Sequence, residues 1–196
     1  TVKQEAIEAN GPAVQRFIRG HGATPNRIAR GQTIDNPDGS FNPRPAKQLS
    51  EYAPQVLSVQ MESDSGQPGM DVYFEDKQFP AVLGGVVKDI DYQVNRDGSG
   101  YGHYVVIESR DPQTGETVDV LYSHFDERVK FKVGQRVAAG QVIGQQGGSG
   151  SVRSVDGTIA SIDFLAPAPR GSKSMTPYRG FKNLRTYIQS QLLGGN

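Results

Sequence analysis

Tyr104-Val105-Val106-Ile107-Glu108-Ser109-Arg110-Asp111-Pro112-Gln113-Thr114-Gly115-Glu116-Thr117-Val118-Asp119-Val120-Leu121-Tyr122-Ser123-His124 decides the fold. Residues 104–109 and 117–124 are rich in β-branched and aromatic side chains, which suit a pleated, half-buried surface. Between them, 111–116 collects Asp, Pro, Thr and Gly, a hairpin loop by its turn chemistry. The two runs therefore form an antiparallel pair. Working outward, Val56-Leu57-Ser58-Val59, Met70-Asp71-Val72-Tyr73-Phe74, Ala81-Val82-Leu83 with Val86-Val87, 135–137, 141–145 and 158–165 read as further short strands. Gly147-Gly148-Ser149-Gly150-Ser151 reads as a flexible loop.

The flanks differ. Val2, Ala6, Ala9, Ala13 and Phe17 share one helical face, and Asn10-Gly11-Pro12 interrupts them, so residues 2–19 predict two short helices. Prolines and turn signals crowd 23–53, which reads as a linker or surface-hugging arm. At the other end Phe181, Leu184, Ile188 and Leu192 form one apolar stripe, a terminal helix packed on the β core. The expected division is a helical arm and linker over 1–53, a β domain over 54–170 and a C-terminal extension over 171–196.

Composition narrows the function classes. Lys+Arg and Asp+Glu are both 21, so the net charge gives no reason to expect nucleic acid or an anionic membrane as partner. No apolar run reaches the roughly 20 residues of a membrane-spanning helix. With Cys 0, thiol catalysis, disulfides and cysteine-based zinc sites are excluded. Thr1 follows no basic-then-apolar leader, so the expectation is a removed leader or a piece of a larger protein. Gly98-Ser99-Gly100-Tyr101-Gly102 has the letters of a phosphate loop but no helix after it. No strand-to-helix Gly-x-Ser-x-Gly elbow is present either.

Four segments in order carry a resemblance: Gly84-Gly85-Val86-Val87, then Gly100-Tyr101-Gly102-His103-Tyr104-Val105-Val106-Ile107, then Tyr122-Ser123-His124-Phe125, then 133–144, Val-Gly-Gln-Arg-Val-Ala-Ala-Gly-Gln-Val-Ile-Gly. The chain resembles the lysostaphin (LytM-type) zinc endopeptidases, which cut peptide cross-bridges of peptidoglycan. The resemblance implies an antiparallel β sandwich or open barrel of the duplicated-hybrid-motif type, here with an N-terminal helical arm and a C-terminal helix.

The family's site departs from this chain at the points that matter most. The family holds zinc with a His, an Asp four residues later, and the second His of a His-x-His strand. Two further histidines serve the water or the transition state. Here the first ligand position is Gln67, the Asp is kept as Asp71, and the Tyr-x-His segment is kept as Tyr122-Ser123-His124. The closing strand reads Ser161-Ile162-Asp163, so Ser161 stands for a catalytic His and Asp163 for the third ligand. Three protein ligands and an open position are what let zinc activate water. Two carboxylates and an amide suit Ca²⁺ or Mg²⁺ better than zinc. The resemblance therefore implies a degenerate metal site without zinc, filled by a satisfied polar network in which Gln67 and Ser161 donate to Asp71 and Asp163, with His124 a catalytic remnant. Tyr101, His103 and Tyr122 are the candidate substrate contacts. His21, between two glycines, reads as a cap or surface residue, and Glu62, Asp64 and Asp71 as a solvated acidic stretch.

Three functions follow. The first is a non-catalytic LytM-like domain that binds peptidoglycan or docks a partner protein, extracytoplasmic in a cell envelope or virion-associated in a phage-tail-type device. The second is a metalloendopeptidase with a rearranged site using Asp71, His124 and Asp163. The third is a purely structural part of a larger assembly.

Overall fold

The computed structural model describes residues 32–34, 41–45, 47–62, 68–152 and 154–195. The expected helices of 2–19, and His21 and Gln67, lie outside them. Among the described residues the chain is mainly β, as its turn-punctuated strands require. After β1 (Gln32–Ile34) and β2 (Phe41–Pro45), which pair with each other, a 3₁₀ helix spans Leu49–Gln55. Then come β3 (Val56–Met61), β4 (Gly69–Phe74), β5 (Gln78–Pro80), β6 (Gly85–Gln93), β7 (Gly102–Arg110) and β8 (Thr117–Phe125). The order closes with β9 (Arg136–Val137), β10 (Val142–Gln145), β11 (Ala160–Leu165) and helix α1 (Phe181–Leu192).

The main sheet has seven strands in the order β3-β4-β11-β8-β7-β6-β9, every pair antiparallel, while β5 and β10 form a separate ladder. The hairpin expected over 104–124 is β7–β8. Its turn closes through the Asp111 N–H donating to the Glu116 carbonyl, and Gly115 sits at φ 75°, where glycine is favoured. Ala81–Leu83, expected as a strand with Val86-Val87, is instead a buried connection between β5 and β6. Its N–H groups are met from elsewhere: Ala81 donates to the Gln141 carbonyl and Val82 to the Tyr122 hydroxyl.

Side chains alternate across a strand, so the sheet sorts its residues into two faces. One face carries Val72, Tyr122, Ile162, Phe164, Val105 and Ile107 into the main apolar core, with Phe79 stacked on Phe125 at 4.8 Å. Leu49 and Tyr52 of the 3₁₀ helix belong to that core, and so do Leu184, Ile188 and Leu192 of α1. The stretch just before residue 54 is thus built into the β unit, and the terminal stripe packs inward as its spacing demands.

The opposite face holds a smaller apolar cluster of Tyr101, Tyr104, Val106, Leu121 and Leu165. Segment 166–178 covers part of it. Buried Lys88 bonds both oxygens of buried Asp119 (2.9 and 3.0 Å) and the Ala168 carbonyl, while the Ala168 N–H donates to Asp119. Such a pair persists only when its remaining bonding capacity is filled, which the Ala168 backbone does. What 166–178 leaves uncovered is a cleft. No described helix is long and apolar enough to cross a membrane.

Candidate functional site

The cleft has a volume of about 550 Å³. Strands β4, β11 and β8 bring Asp71, Ser161 and Ser123 side by side, because Ser161 pairs with Asp71 on one flank and with Ser123 on the other. The Ser161 hydroxyl donates to Asp71 Oδ1 at 2.6 Å. Gln93, Asn95, Ser99 and Tyr101 form one wall from the β6–β7 connection, and Glu62 and Met175 contribute from the two sides of the domain.

His124 lines the cleft although Ser123, its neighbour on β8, does so too. A regular strand would send them to opposite faces. His124 breaks the alternation with φ 65°, a left-handed conformation, while its N–H donates to the Tyr101 carbonyl. Its Nδ1 lies 2.7 Å from the Ser149 carbonyl. A carbonyl only accepts, so Nδ1 carries the proton and Nε2 keeps its lone pair. Burial pushes its pKa down, against the Ser149 bond and the Asp71 charge, and the ring is held neutral.

The glycine-rich loop expected to be flexible is what fixes His124. Ser149 Oγ donates to the Phe125 carbonyl and accepts the His103 N–H. A Cβ on Gly102 would meet Ser149 backbone at 2.4 Å, so only glycine lets the two chains approach this closely.

Asp163 lies on the cleft face of β11, two residues beyond Ser161, and is 2% exposed. Its carboxylate stands over Gly69, where a Cβ would come within 2.1 Å of Oδ1. Among the described residues that oxygen has no hydrogen-bond partner. Burial first, then the charges of Glu62 and Asp71, push its pKa up to about 8, so it carries a proton at neutral pH. Of the network expected to fill the old site, the Ser161–Asp71 bond is present, and Gln67, the other expected donor, lies outside the described residues.

Tyr122 requires a correction. It faces the core, fully buried, and its hydroxyl accepts the Val82 N–H at 3.0 Å, so it is a structural anchor with no access to the cleft. His103 packs against half-exposed Tyr92, the rings tilted at 51° with centroids 4.6 Å apart, outside the cleft lining, whereas Tyr101 is part of that lining. Glu62, read as one of a solvated acidic run, is half-buried in the cleft wall. Burial and Asp71 push it up to about 7, against the attraction of Arg185 on α1. Arg185 also donates to the Glu62 carbonyl at 3.0 Å. The sequence signal for Glu62 is its place directly after β3.

These residues do not fit zinc. His124 is the one imidazole in the described lining, Asp71 Oδ1 accepts from Ser161, and Asp163 stands over Gly69. No group of three His, Cys, Asp or Glu converges to hold an ion among the described residues. A tetrahedral site with an activated water needs three converging donors.

Known proteins give the same family from an independent direction. The profile of peptidase family M23 matches residues 65–159. Among solved structures, a point mutant of the catalytic domain of the prophage-encoded M23 protein EnpA from Enterococcus faecalis is 22% identical with a TM-score of 0.42. That match covers 60% of this chain and 85% of the other. The solution structure of lysostaphin is 20% identical with a TM-score of 0.41, over 69% of this chain and 52% of lysostaphin, about half its length. No curated protein sequence matches. The profile match spans the four sequence segments that carry the resemblance: residues 65–159 match peptidase family M23.

Proposed function

We propose that this chain is a non-catalytic M23 domain that binds peptidoglycan peptides in its cleft, in a cell envelope or in a virion-associated device that meets the cell wall. Docking of an envelope or virion protein in the same groove is the variant of this reading. One observation carries it. The cleft keeps its strands, its pinned loop and its Tyr-x-His histidine, yet the nitrogen donors of a Lewis-acid site are replaced by Ser161 and by a protonated Asp163. Binding needs the walls; hydrolysis needs the donors.

The competing enzyme reading draws on His124, whose Nε2 lone pair remains available to act as a base. Two measurements separate the readings. The purified chain should co-sediment with murein sacculi and contain no stoichiometric zinc. It should release no new termini from sacculi, with or without chelator. Tightly held zinc with chelator-sensitive cleavage would establish the enzyme instead. A protein that stays in the supernatant would leave the structural role, with 1–53 and 176–196 as its contact segments.

A further inference from the structure

We propose that segment 169–175 is a hinged wall of the cleft that closes onto a bound peptide, with Lys173 as its latch and Met175 as its contact. This deepens the peptide-binding reading and rests on it.

The segment is tied down at its ends and loosely held between them. The Ala166 N–H donates to the Thr176 carbonyl at 2.8 Å, Leu165 bridges Pro177, and the Tyr178 N–H donates to the Phe164 carbonyl. Ala168 is clamped to the buried Lys88–Asp119 pair. With its ends this close, the loop can swing without moving the sheet, as compact surface loops do. Between the anchors, 169–172 make a turn with Gly171 at φ 81°, and these residues are exposed. Among the described residues, none of 169–175 enters either apolar cluster. Its described bonds to the sheet are long: the Gly171 N–H to the Lys88 carbonyl at 3.3 Å, and Lys173 Nζ to the Tyr104 hydroxyl at 3.5 Å. Segments with few buried apolar contacts open at low free energy. What holds this one down is a charge over rings. Lys173 Nζ lies 4.9 Å from the Tyr104 centroid and 5.8 Å from that of Tyr101. Tyr101 also lines the cleft, so the latch and a ligand share one ring. Met175 follows two residues later. Of the exposed large hydrophobic side chains among the described residues, it alone lines the cleft, 69% exposed. Its unbranched thioether adapts to the apolar surface it meets, and a peptide in the cleft would take it out of water.

The test is amide hydrogen exchange across 170–175, read by mass spectrometry on the full chain, free and bound to murein sacculi. In the free chain Lys173→Gln should speed this exchange about three- to thirtyfold, the range of a cation–π contact. Lys173→Arg should restore it, because either cation can sit over the rings. Sacculi should slow the exchange of the wild type. Met175→Ala should leave free-chain exchange and the unfolding midpoint unchanged, yet lower the affinity for sacculi about five- to tenfold. Unchanged exchange in Lys173→Gln overturns the latch, and with it the inference. Exchange that quickens on sacculi would mean that the ligand lifts the segment instead of being held by it. Affinity undiminished by Met175→Ala would mean that the wall touches nothing. Either result overturns the inference, and with the wild type still retained on sacculi it sinks this inference alone. A wild type that is not retained sinks the reading of the cleft as a peptide site as well.

Discussion

Strand β11 places two kinds of structure one residue apart. Ile162 and Phe164 face a core of apolar side chains, all buried and closely packed. Ser161 and Asp163 face the cleft, where one hydroxyl is satisfied and one carboxylate oxygen is not. The same backbone serves both, so the difference is not one of fold. Alternation decouples the faces: the core side can hold the sheet together while the other side loses its chemistry. On the proposed reading, that is how the frame would outlive a metal site.

The sharpest way to break this comparison is to restore the missing imidazoles. If the frame is intact, Gln67→His, Ser161→His and Asp163→His together should raise zinc affinity by several orders of magnitude, since the Asp71 ligand is already in place. Zinc should then also raise the unfolding midpoint of the triple variant and leave the parent unchanged. A triple variant that folds but ignores zinc would mean that these positions do not converge, and that the strand register has drifted from the family's.

The core face should dominate stability. Ile162→Ala removes a fully buried side chain between Tyr122 and Met70 and should cost about 2–5 kcal/mol in urea unfolding, with the cavity adding to the lost transfer energy. Its effect on sacculus binding, measured well below the new midpoint, should be small. A loss of binding at full folding would show that the two faces are coupled after all.

The cleft face should show itself through pH. Asp163 has its pKa raised from 3.8 to about 8. In the unfolded chain it releases its proton near 4; in the folded protein it holds it until about 8. Across that window the folded state binds the extra proton, so stability must fall as pH rises, by at most about 1.4 kcal/mol per pH unit for one group. Glu62 acts in the same direction up to about 7, with a smaller share because it is partly solvated. His124, whose pKa is pushed below 6.5, acts oppositely at acid pH, so unfolding midpoints measured from pH 7 to 8 should decline, and Asp163→Asn should flatten the slope. A wild-type stability that rises over this range would place Asp163 in contact with a cation.

The frame was legible because hydrophobic alternation and turn chemistry are local. The β7–β8 hairpin, β4 and α1 stand where their residues put them, since each buries an apolar set that its own spacing defines. Long-range geometry was less legible. Tyr122 sits in the motif next to His124, yet it points into the core, and only the sheet pairing Tyr122–Ile162 reveals that. His124 reaches the cleft by a positive φ that no periodicity announces. Glu62 looks like a solvated acid until Arg185, far along the chain, closes over its backbone. The loop at Ser149 reads as flexible because glycine permits motion, but here glycine permits contact instead.

The mildest probe is Ser161→Ala, on the residue beside Ile162. It deletes the hydroxyl that donates to Asp71 and nothing else of size. Asp71 lines a water-accessible cleft, so solvent can replace the lost donor. The cost should therefore sit near the low end for a single hydrogen bond, about 0.5–1 kcal/mol, several-fold below that of Ile162→Ala. A cost above about 2 kcal/mol would be the penalty of a desolvated, unpaired carboxylate. The cleft would then be as closed to water as the core, and the polar face of β11 would be holding the sheet together alongside the apolar one.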